Sequence, residues 1–501
     1  SSRGLGDVYK RQAFNMDVAG FFTKWLADLA ADQNDEGSVP YVIPDVLSQG
    51  PQFSGGSAAW ADAAAIIPWT MYLSYGDTRI LETQYASMKA WVEYMRREAT
   101  EIGLWNSGFH FGDWLAFASN ASDYPGATTG KDLIATAFFA HSTDLLQRTA
   151  TVLGRTSDAD EYAALLTKIK KAFQREFVTA AGRVGENTQT AYALALQFDL
   201  LPEDLRAEAA SRLAAEVRSR GHLTTGFVGT PYLCQVLSRF GYLDVAYALL
   251  NRKEYPSWLY PVTQGATTIW ERWDGQKPDG TFQDVGMNSF NHYAYGAIGE
   301  WMYRVMAGLE IDPDEPGYRH VLVEPQPGGG FTSASARLDT PFGEAASAWA
   351  LVEEDRLQVT ATVPPNTRGT IRLPNAVLAD VTEGSAAVAS APGVRKATQA
   401  GGAVVVEVGS GQYVFAYPAG DLVERLRPAP FHVDVTVAVL LESETAMAVI
   451  ENHLPGLREN PLIGEAQRMS LRQVAGFVGL SEEAIEALDK DLRQLKEPES
   501  Q

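Results

Sequence analysis

The hydrophobic pattern of this chain changes period near Ile311, and that change constrains the fold more than any other feature. Before it, apolar residues recur three and four apart. Leu81, Tyr85, Met88, Val92 and Met95 do so, as do Tyr162, Leu165, Ile169, Phe173 and Phe177. Such spacing puts them on one face of a helix. Ser157 stands where a cap for the second of these helices is expected. Leu133, Ala137, Phe138, Leu145 and Val152 predict another helix. Further helices start near Thr190, Glu203, Thr230 and Asp244, and one runs from about Tyr293 to Leu309. After Ile311 a Pro/Gly linker, IDPDEPGYRHVLVEPQPGGG, leads into short alternating runs, with PFGE as a turn. This run of short strands, about 100 residues long, predicts a β-sandwich. Beyond Pro418, Val437, Leu440, Leu441, Ala448 and Val449 share one helical face. Ser481 caps a last helix carrying Ile485, Leu488, Leu492 and Leu495, so a small helical bundle is expected there.

The expected organisation is therefore mainly α: paired helices over 13–312, a β-sandwich over 313–418 and a small helical extension over 419–501. Periodicity does not separate a ring of helix pairs from a one-layer helical array. Residues 1–12, SSRGLGDVYKRQ, have no clear period. They are expected to be a non-native leader joined to a gene fragment. The chain shows neither an initiator methionine nor a signal-peptide pattern, and the cytoplasm is expected over secretion.

The bulk numbers exclude more than they choose. A net charge of −21 over 501 residues argues against a nucleic-acid or anionic-membrane partner. No apolar run is long enough to span a bilayer. The single cysteine, Cys234, permits no internal disulfide, fits a reducing compartment, and in PYLCQVL reads as a small buried hydrophobe. There is no P-loop, no G-x-G-x-x-G after a strand, no H-E-x-x-H and no G-x-S-x-G. The histidines have no zinc-ligand spacing, so no metal or organic cofactor is expected. Chemistry is left to carboxylates, aromatics and one histidine.

These residue types gather in the loops of the helical region. Ten of the eleven tryptophans precede residue 302, and loops rich in Trp and Asp more often line a site than face water. Glu271 stands out in GATTIWERWDG, between Trp270 and Trp273 and close to Asp274. A carboxylate that takes a proton from water, beside rings that stack on a sugar, supplies parts needed to break a glycosidic bond. The bland alternative is a helix-end carboxylate or a partner of Arg272. Asp113 and Trp114 in FGDWLA, and Asp62 after Trp60, are similar in kind, with helix capping as the alternative for both aspartates. His292, in NSFNHYAYG, has aromatic neighbours, but a lone histidine near an apolar face is more often structural. Asn288 and Asn291 read as helix caps.

Taken in order, AFNMDVAGFF, VPYVIPDV, AAWADAAAIIPW with YLSYGD, FGDWLA, KDLIATAFF, YPSWLYPVTQGATTIWERWDG and MNSFNHYAYGAIGEWMYR resemble family 78 of the glycoside hydrolases, the α-L-rhamnosidases. The resemblance covers residues 13–418. It implies an (α/α)6 barrel, incomplete at its N-terminus, followed by a β-sandwich. It also implies an inverting mechanism acting on a rhamnose-containing glycoside or oligosaccharide. Glu271 matches the general base, and His292 a histidine at the substrate site. Asp62, Asp113 and Trp114 fall in loops like those of the rhamnose pocket, and Trp270 and Trp273 look like pocket walls. In the family a motif of the type D-x-x-x-R-x-E-x-x-G-W-x-G-D, carrying the general acid, comes shortly before the segment matching Ala13. SSRGLGDVYKRQ takes that place here, and neither Asp17 nor Glu36 matches. The chain as given is thus expected to lack its acid and to be nearly inactive. Two alternatives stand beside this: another (α/α)6-barrel glycosidase, and a sugar-binding fragment without catalysis. A pure scaffold leaves the Trp/Asp loops unexplained.

Overall fold

The computed structural model describes residues 15–47, 55–117, 129–353, 355–426, 431–461, 463–467 and 469–495. The expected leader, 1–12, lies outside them.

The helical region is built from hairpins whose two arms differ in sequence. After α1 (Ala19–Asp32) come α2 (Ala63–Tyr75) and α3 (Thr78–Glu98), α4 (Lys131–Val152) and α5 (Thr156–Phe177), α6 (Gln189–Gln197) and α7 (Glu203–Arg220), and α8 (Thr230–Arg239) and α9 (Leu243–Asn251). The first arm of each pair packs on the first arm of the next, and the second arms lie outside them. Composition explains the division. AAAIIPWTMYLSY in α2 is apolar almost all round and is buried on most sides. The outer α3 and α5 carry one apolar stripe and expose the rest. The joint between α2 and α3 is short because Gly76 takes a left-handed φ of 68° and Asp77 then accepts the Arg79 N–H.

Helix starts expected near Thr190, Glu203, Thr230 and Asp244 fall within a residue of those found. Ser157 does not cap α5, because the helix already begins at Thr156. The helix expected over Tyr293–Leu309 is broken. A 3-10 turn at Ala294–Ala297 passes into α11 (Ile298–Trp301), after the short α10 (Leu259–Thr263), and ends in a π turn at Met302–Met306. Leu309 is already in a strand.

That strand, β1 (Leu309–Ile311), opens the sandwich a few residues ahead of the expected division at 312/313. It pairs with β2 (His320–Val323). The remaining strands are β3 (Ser333–Thr340), β4 (Gly343–Val352), β5 (Arg356–Val363), β6 (Arg368–Pro374), β7 (Thr382–Glu383), β8 (Ala386–Ala387), β9 (Val394–Ala400), β10 (Ala403–Val408) and β11 (Gly411–Pro418). They form sheets ordered β1-β2-β6-β10-β9 and β3-β4-β5-β11-β7-β8. Inward positions such as Leu357, Val359 and Ala361 alternate with half-exposed ones, as period two requires. The sandwich is fastened to the barrel by the Trp349 indole, which donates to the Met306 carbonyl at 2.8 Å, and by the Tyr247 hydroxyl, which donates to the Gln326 carbonyl at 2.7 Å. The short α12 (Asp421–Leu426), placed by sequence in the extension, buries Leu422, Val423 and Leu426 in the sandwich core.

The extension proper has a core of its own. The single helical face expected over Val437–Val449 is two helices, α13 (Val437–Leu441) and α14 (Glu444–His453), because Ser443 caps the second through the Ala446 N–H. After α15 (Ile463–Ala466) and α16 (Leu471–Phe477), α17 (Glu482–Arg493) is capped by Ser481 and buries Ile485, Leu488 and Leu492, as expected. Among the described residues no helix is long and apolar enough to cross a membrane.

Candidate active site

Glu271 is held by a reciprocal pair. Its own N–H donates to the Ser289 carbonyl at 2.8 Å, and the Ser289 N–H donates to Glu271 Oε2 at 2.8 Å. The His292 N–H donates to the Ile269 carbonyl at 2.8 Å, and the Thr268 hydroxyl to the Phe290 carbonyl. Segments 268–271 and 289–292 therefore run side by side, which brings His292 within two residues of the Glu271 pairing. Glu271 is half-buried, and among the described residues its Oε1 accepts no hydrogen bond. A carboxylate with one oxygen fixed and the other open is suited to take a proton from water.

The neighbours of Glu271 are committed to the protein. Arg272 does not pair with Glu271. Its guanidinium binds Asp274, Nε to Oδ1 at 2.7 Å and Nη2 to Oδ2 at 3.2 Å, and Gln283 also donates to Asp274. Trp273 is 4% exposed, donates its indole N–H to the Thr225 carbonyl at 2.8 Å and stacks on Tyr295 with centroids 3.9 Å apart. Trp270 is 7% exposed and meets Phe290 edge to face. Little of either ring is left at the surface. Asn288 does not cap a helix; its amide donates to the Gly275 carbonyl at 2.9 Å. Asn291 donates its N–H to the Ser289 hydroxyl.

The two aspartates are buried, and neither is a side-chain helix cap. Asp62 accepts from the Ala59 N–H at 2.7 Å, the Trp91 indole at 2.9 Å and the Ser142 hydroxyl. Its burial pushes the carboxyl up to about 6 despite these donors. Asp113 accepts from the Gly226 N–H at 2.8 Å on Oδ2 and from the Val228 and Gly229 N–H groups, at 2.8 and 3.1 Å, on Oδ1. The Thr190 hydroxyl adds a fourth donor. Burial raises its carboxyl too. Asp62 and Asp113, for which direct sugar contact is expected, are 0% and 1% exposed, and both oxygens of each already accept from the protein. Each pins a loop that carries aromatic residues.

The Asp113 pin also requires a glycine. A Cβ on Gly226 would lie 2.2 Å from the Trp114 carbonyl oxygen, so only a residue without a side chain lets the two loops close. The Phe227 N–H then donates to that carbonyl at 2.9 Å, and the Phe227 ring stacks on His292 at 5.1 Å. Trp114 stays half-exposed and meets Phe111, which lies against Trp60 at 4.8 Å. Trp60 and Phe111 join this aromatic group around Trp114, and sequence reasoning did not single them out as site residues. Trp60 lies in the same short motif as Asp62, and Phe111 two residues before Asp113. That position beside both aspartates was the available signal.

Away from these loops, Asp312, Glu315 and His320 place their ligand atoms within 4.8 Å of one another on the sandwich. Their donors and acceptors are already used. His320 bonds Asp312 through Nδ1 at 2.6 Å and Thr370 through Nε2 at 2.8 Å, and Glu315 pairs with Arg368. Cys234 is buried, and burial pushes its thiol up to about 12, far from the thiolate a nucleophile needs.

Comparison with known proteins matches residues 8–306 to the family described as the bacterial alpha-L-rhamnosidase 6 hairpin glycosidase domain. The chain belongs to that family. Residues 308–387 match the bacterial alpha-L-rhamnosidase C-terminal domain, which agrees with a sandwich opening at Leu309. An α-L-rhamnosidase of Streptomyces avermitilis is 45% identical over 72% of this chain and 33% of its own length. One of Formosa agariphila is 43% identical over 72% of this chain and 38% of its own. Among solved structures, the Streptomyces avermitilis enzyme complexed with L-rhamnose superposes with a TM-score of 0.74 at 41% identity, covering 82% of this chain and 38% of that one. The Aspergillus terreus α-L-rhamnosidase gives 0.73 at 37% identity, covering 83% and 45%. The six-hairpin helical toroid with a C-terminal β-sandwich is the architecture of these relatives. The chain spans a third to under half of their lengths.

Proposed function

We propose that this chain carries the base-bearing part of an inverting glycoside hydrolase that releases terminal α-L-rhamnose from rhamnosides. The observation behind this is the Glu271 carboxylate, fixed through Oε2 by Ser289 and open at Oε1, on a segment tied to that of His292. In this reading Glu271 is the general base that deprotonates the attacking water. Inversion requires that water to lie between the base and the sugar, on the face opposite the leaving group. His292 and Trp114 contact the sugar, Trp270 and Trp273 back the Glu271 loop, and Asp62 and Asp113 hold the surrounding loops. Family membership and the matched segments around Glu271 and His292 support this assignment.

The test is hydrolysis of an aryl α-L-rhamnoside with a good leaving group, for which protonation of the departing oxygen matters least. Turnover that yields β-L-rhamnose first and falls about 10²–10⁴-fold in Glu271→Gln is the expected result. Turnover unchanged in that variant, or α-L-rhamnose as the first product, overturns it. Rhamnose binding without turnover returns the second reading, a sugar-binding fragment.

A further inference from the structure

We propose that Asp113 is a positioning residue for His292, acting through the Phe227 ring. This rests on the placement of the rhamnoside site given above. Asp113 is 1% exposed and takes donors from three of the four consecutive positions 226–229: the N–H groups of Gly226, Val228 and Gly229, which flank Phe227. Phe227 itself donates to the carbonyl of Trp114, the residue after Asp113, at 2.9 Å. The backbone on both sides of Phe227 is thereby fixed, and its ring is buried in one place. That place is a 5.1 Å stack on His292, inclined by 28°, with the Tyr295 ring edge-on at 5.4 Å. Tyr295 closes the loop by donating its hydroxyl to the Leu115 carbonyl at 2.9 Å. His292 is tied in turn to Ile269, two residues before Glu271. One carboxylate thus ties segment 113–117 to 226–229, and the Phe227 ring carries that placement on to His292 in 269–292.

The chemistry of the group explains why an aspartate is needed. Two oxygens, each accepting two donors, match a carboxylate and no neutral side chain of the same size. In Asp113→Asn one oxygen becomes an NH2, which faces an N–H or hydroxyl instead of accepting from it. The loop must withdraw, and the Phe227 ring must leave His292.

The experiment is histidine ring NMR on the full chain, with His292→Gln to assign the signal. In Asp113→Asn the His292 ring signals are expected to move, because the aromatic face against them shifts. Those of His320 in the sandwich and His453 in the bundle stay in place. A folded Asp113→Asn with unmoved His292 signals overturns the proposal. If that variant does not fold, Thr190→Val, which deletes one donor to the same carboxylate, is read in the same way. In aryl rhamnoside hydrolysis, Asp113→Asn is expected to lose at least about tenfold in kcat/KM, and adding it to His292→Ala costs no more than about threefold beyond His292→Ala alone. Losses that multiply overturn it. Wild-type protein without turnover, as expected of a chain that lacks its general acid, leaves the NMR result to decide the positioning.

Discussion

Glu271 and Ser289 hold each other through backbone and side chain: each donates its N–H to an oxygen of the other at 2.8 Å. The Ser289 hydroxyl takes no part in this pairing; it accepts from Asn291.

Ser289→Ala and Ser289→Pro therefore separate. Alanine keeps both backbone groups, and kcat/KM toward an aryl α-L-rhamnoside is expected to stay within about threefold, since surface-side changes cost little. Proline removes the N–H that fixes Oε2, and activity is expected to fall by at least about tenfold, the scale of a charge-assisted hydrogen bond. Steady-state kinetics on the pair decides it; equal losses in both would place the role in the hydroxyl.

Gly226→Ala is expected to destabilise the protein by ~1–3 kcal/mol, the usual cost of forcing atoms into a closed space. The added carbon meets the Trp114 carbonyl oxygen at 2.2 Å. Denaturant unfolding followed by tryptophan fluorescence measures this, and a midpoint equal to that of the parent would mean that the two loops part at no cost.

Two buried groups tilt the pH dependence of stability in opposite directions. Asp62 rises from 3.8 to about 6 on folding. Between these values the folded state holds the extra proton, so its contribution is present below about pH 4 and lost as pH rises through 6. His110 is lowered from 6.5 to about 4, first by burial and further by Lys131. Its contribution is present above pH 6.5 and lost as pH falls toward 4. Each is on the order of 3 kcal/mol across its window. The stability deficit of Asp62→Asn is expected to narrow from pH 4 to 6.5, and that of His110→Asn to widen. Thermal melts of both variants against the parent at several pH values give the slopes; parallel slopes would mean that these groups are not buried as described.

Gln473 serves both the bundle and the barrel. Its Oε1 accepts from the Ser470 N–H at 2.9 Å in a capping box, and its Nε2 donates to the Arg220 carbonyl at 3.0 Å. Gln473→Ala is expected to cost about 1 kcal/mol and to speed amide exchange in α16 and α17 while leaving α2 and α4 unchanged. Exchange that accelerates throughout the chain would show instead that the bundle and the barrel open together.

The elements were legible where local pattern decides them. Glu203 and Thr230 mark true helix starts, Ser481 is a true cap, and Leu357, Val359 and Ala361 alternate as a strand should. The sequence missed the break between α13 and α14 because Ser443 lies inside an otherwise continuous apolar pattern. At the site, residue types were legible and environments were not. Asp62 and Asp113 look like pocket carboxylates because both sit beside tryptophans. Apart from the Ala59 N–H, however, their donors come from Trp91, Ser142, Thr190 and the backbone at 226–229. These lie far along the chain, and the backbone ones leave no mark in composition. The Arg272 pairing with Asp274 rather than Glu271 is likewise set by how the loop turns.

The Asp113 carboxylate sets a rule for redesign. Loops 113–117, 226–229 and 269–292 answer to one buried anchor, so a new specificity cannot be installed by exchanging them one at a time. A transplanted loop arriving without its counterpart would leave charged oxygens facing no donor, or donors facing no acceptor. The three segments, with Thr190 behind them, are expected to transfer between scaffolds of this kind only together.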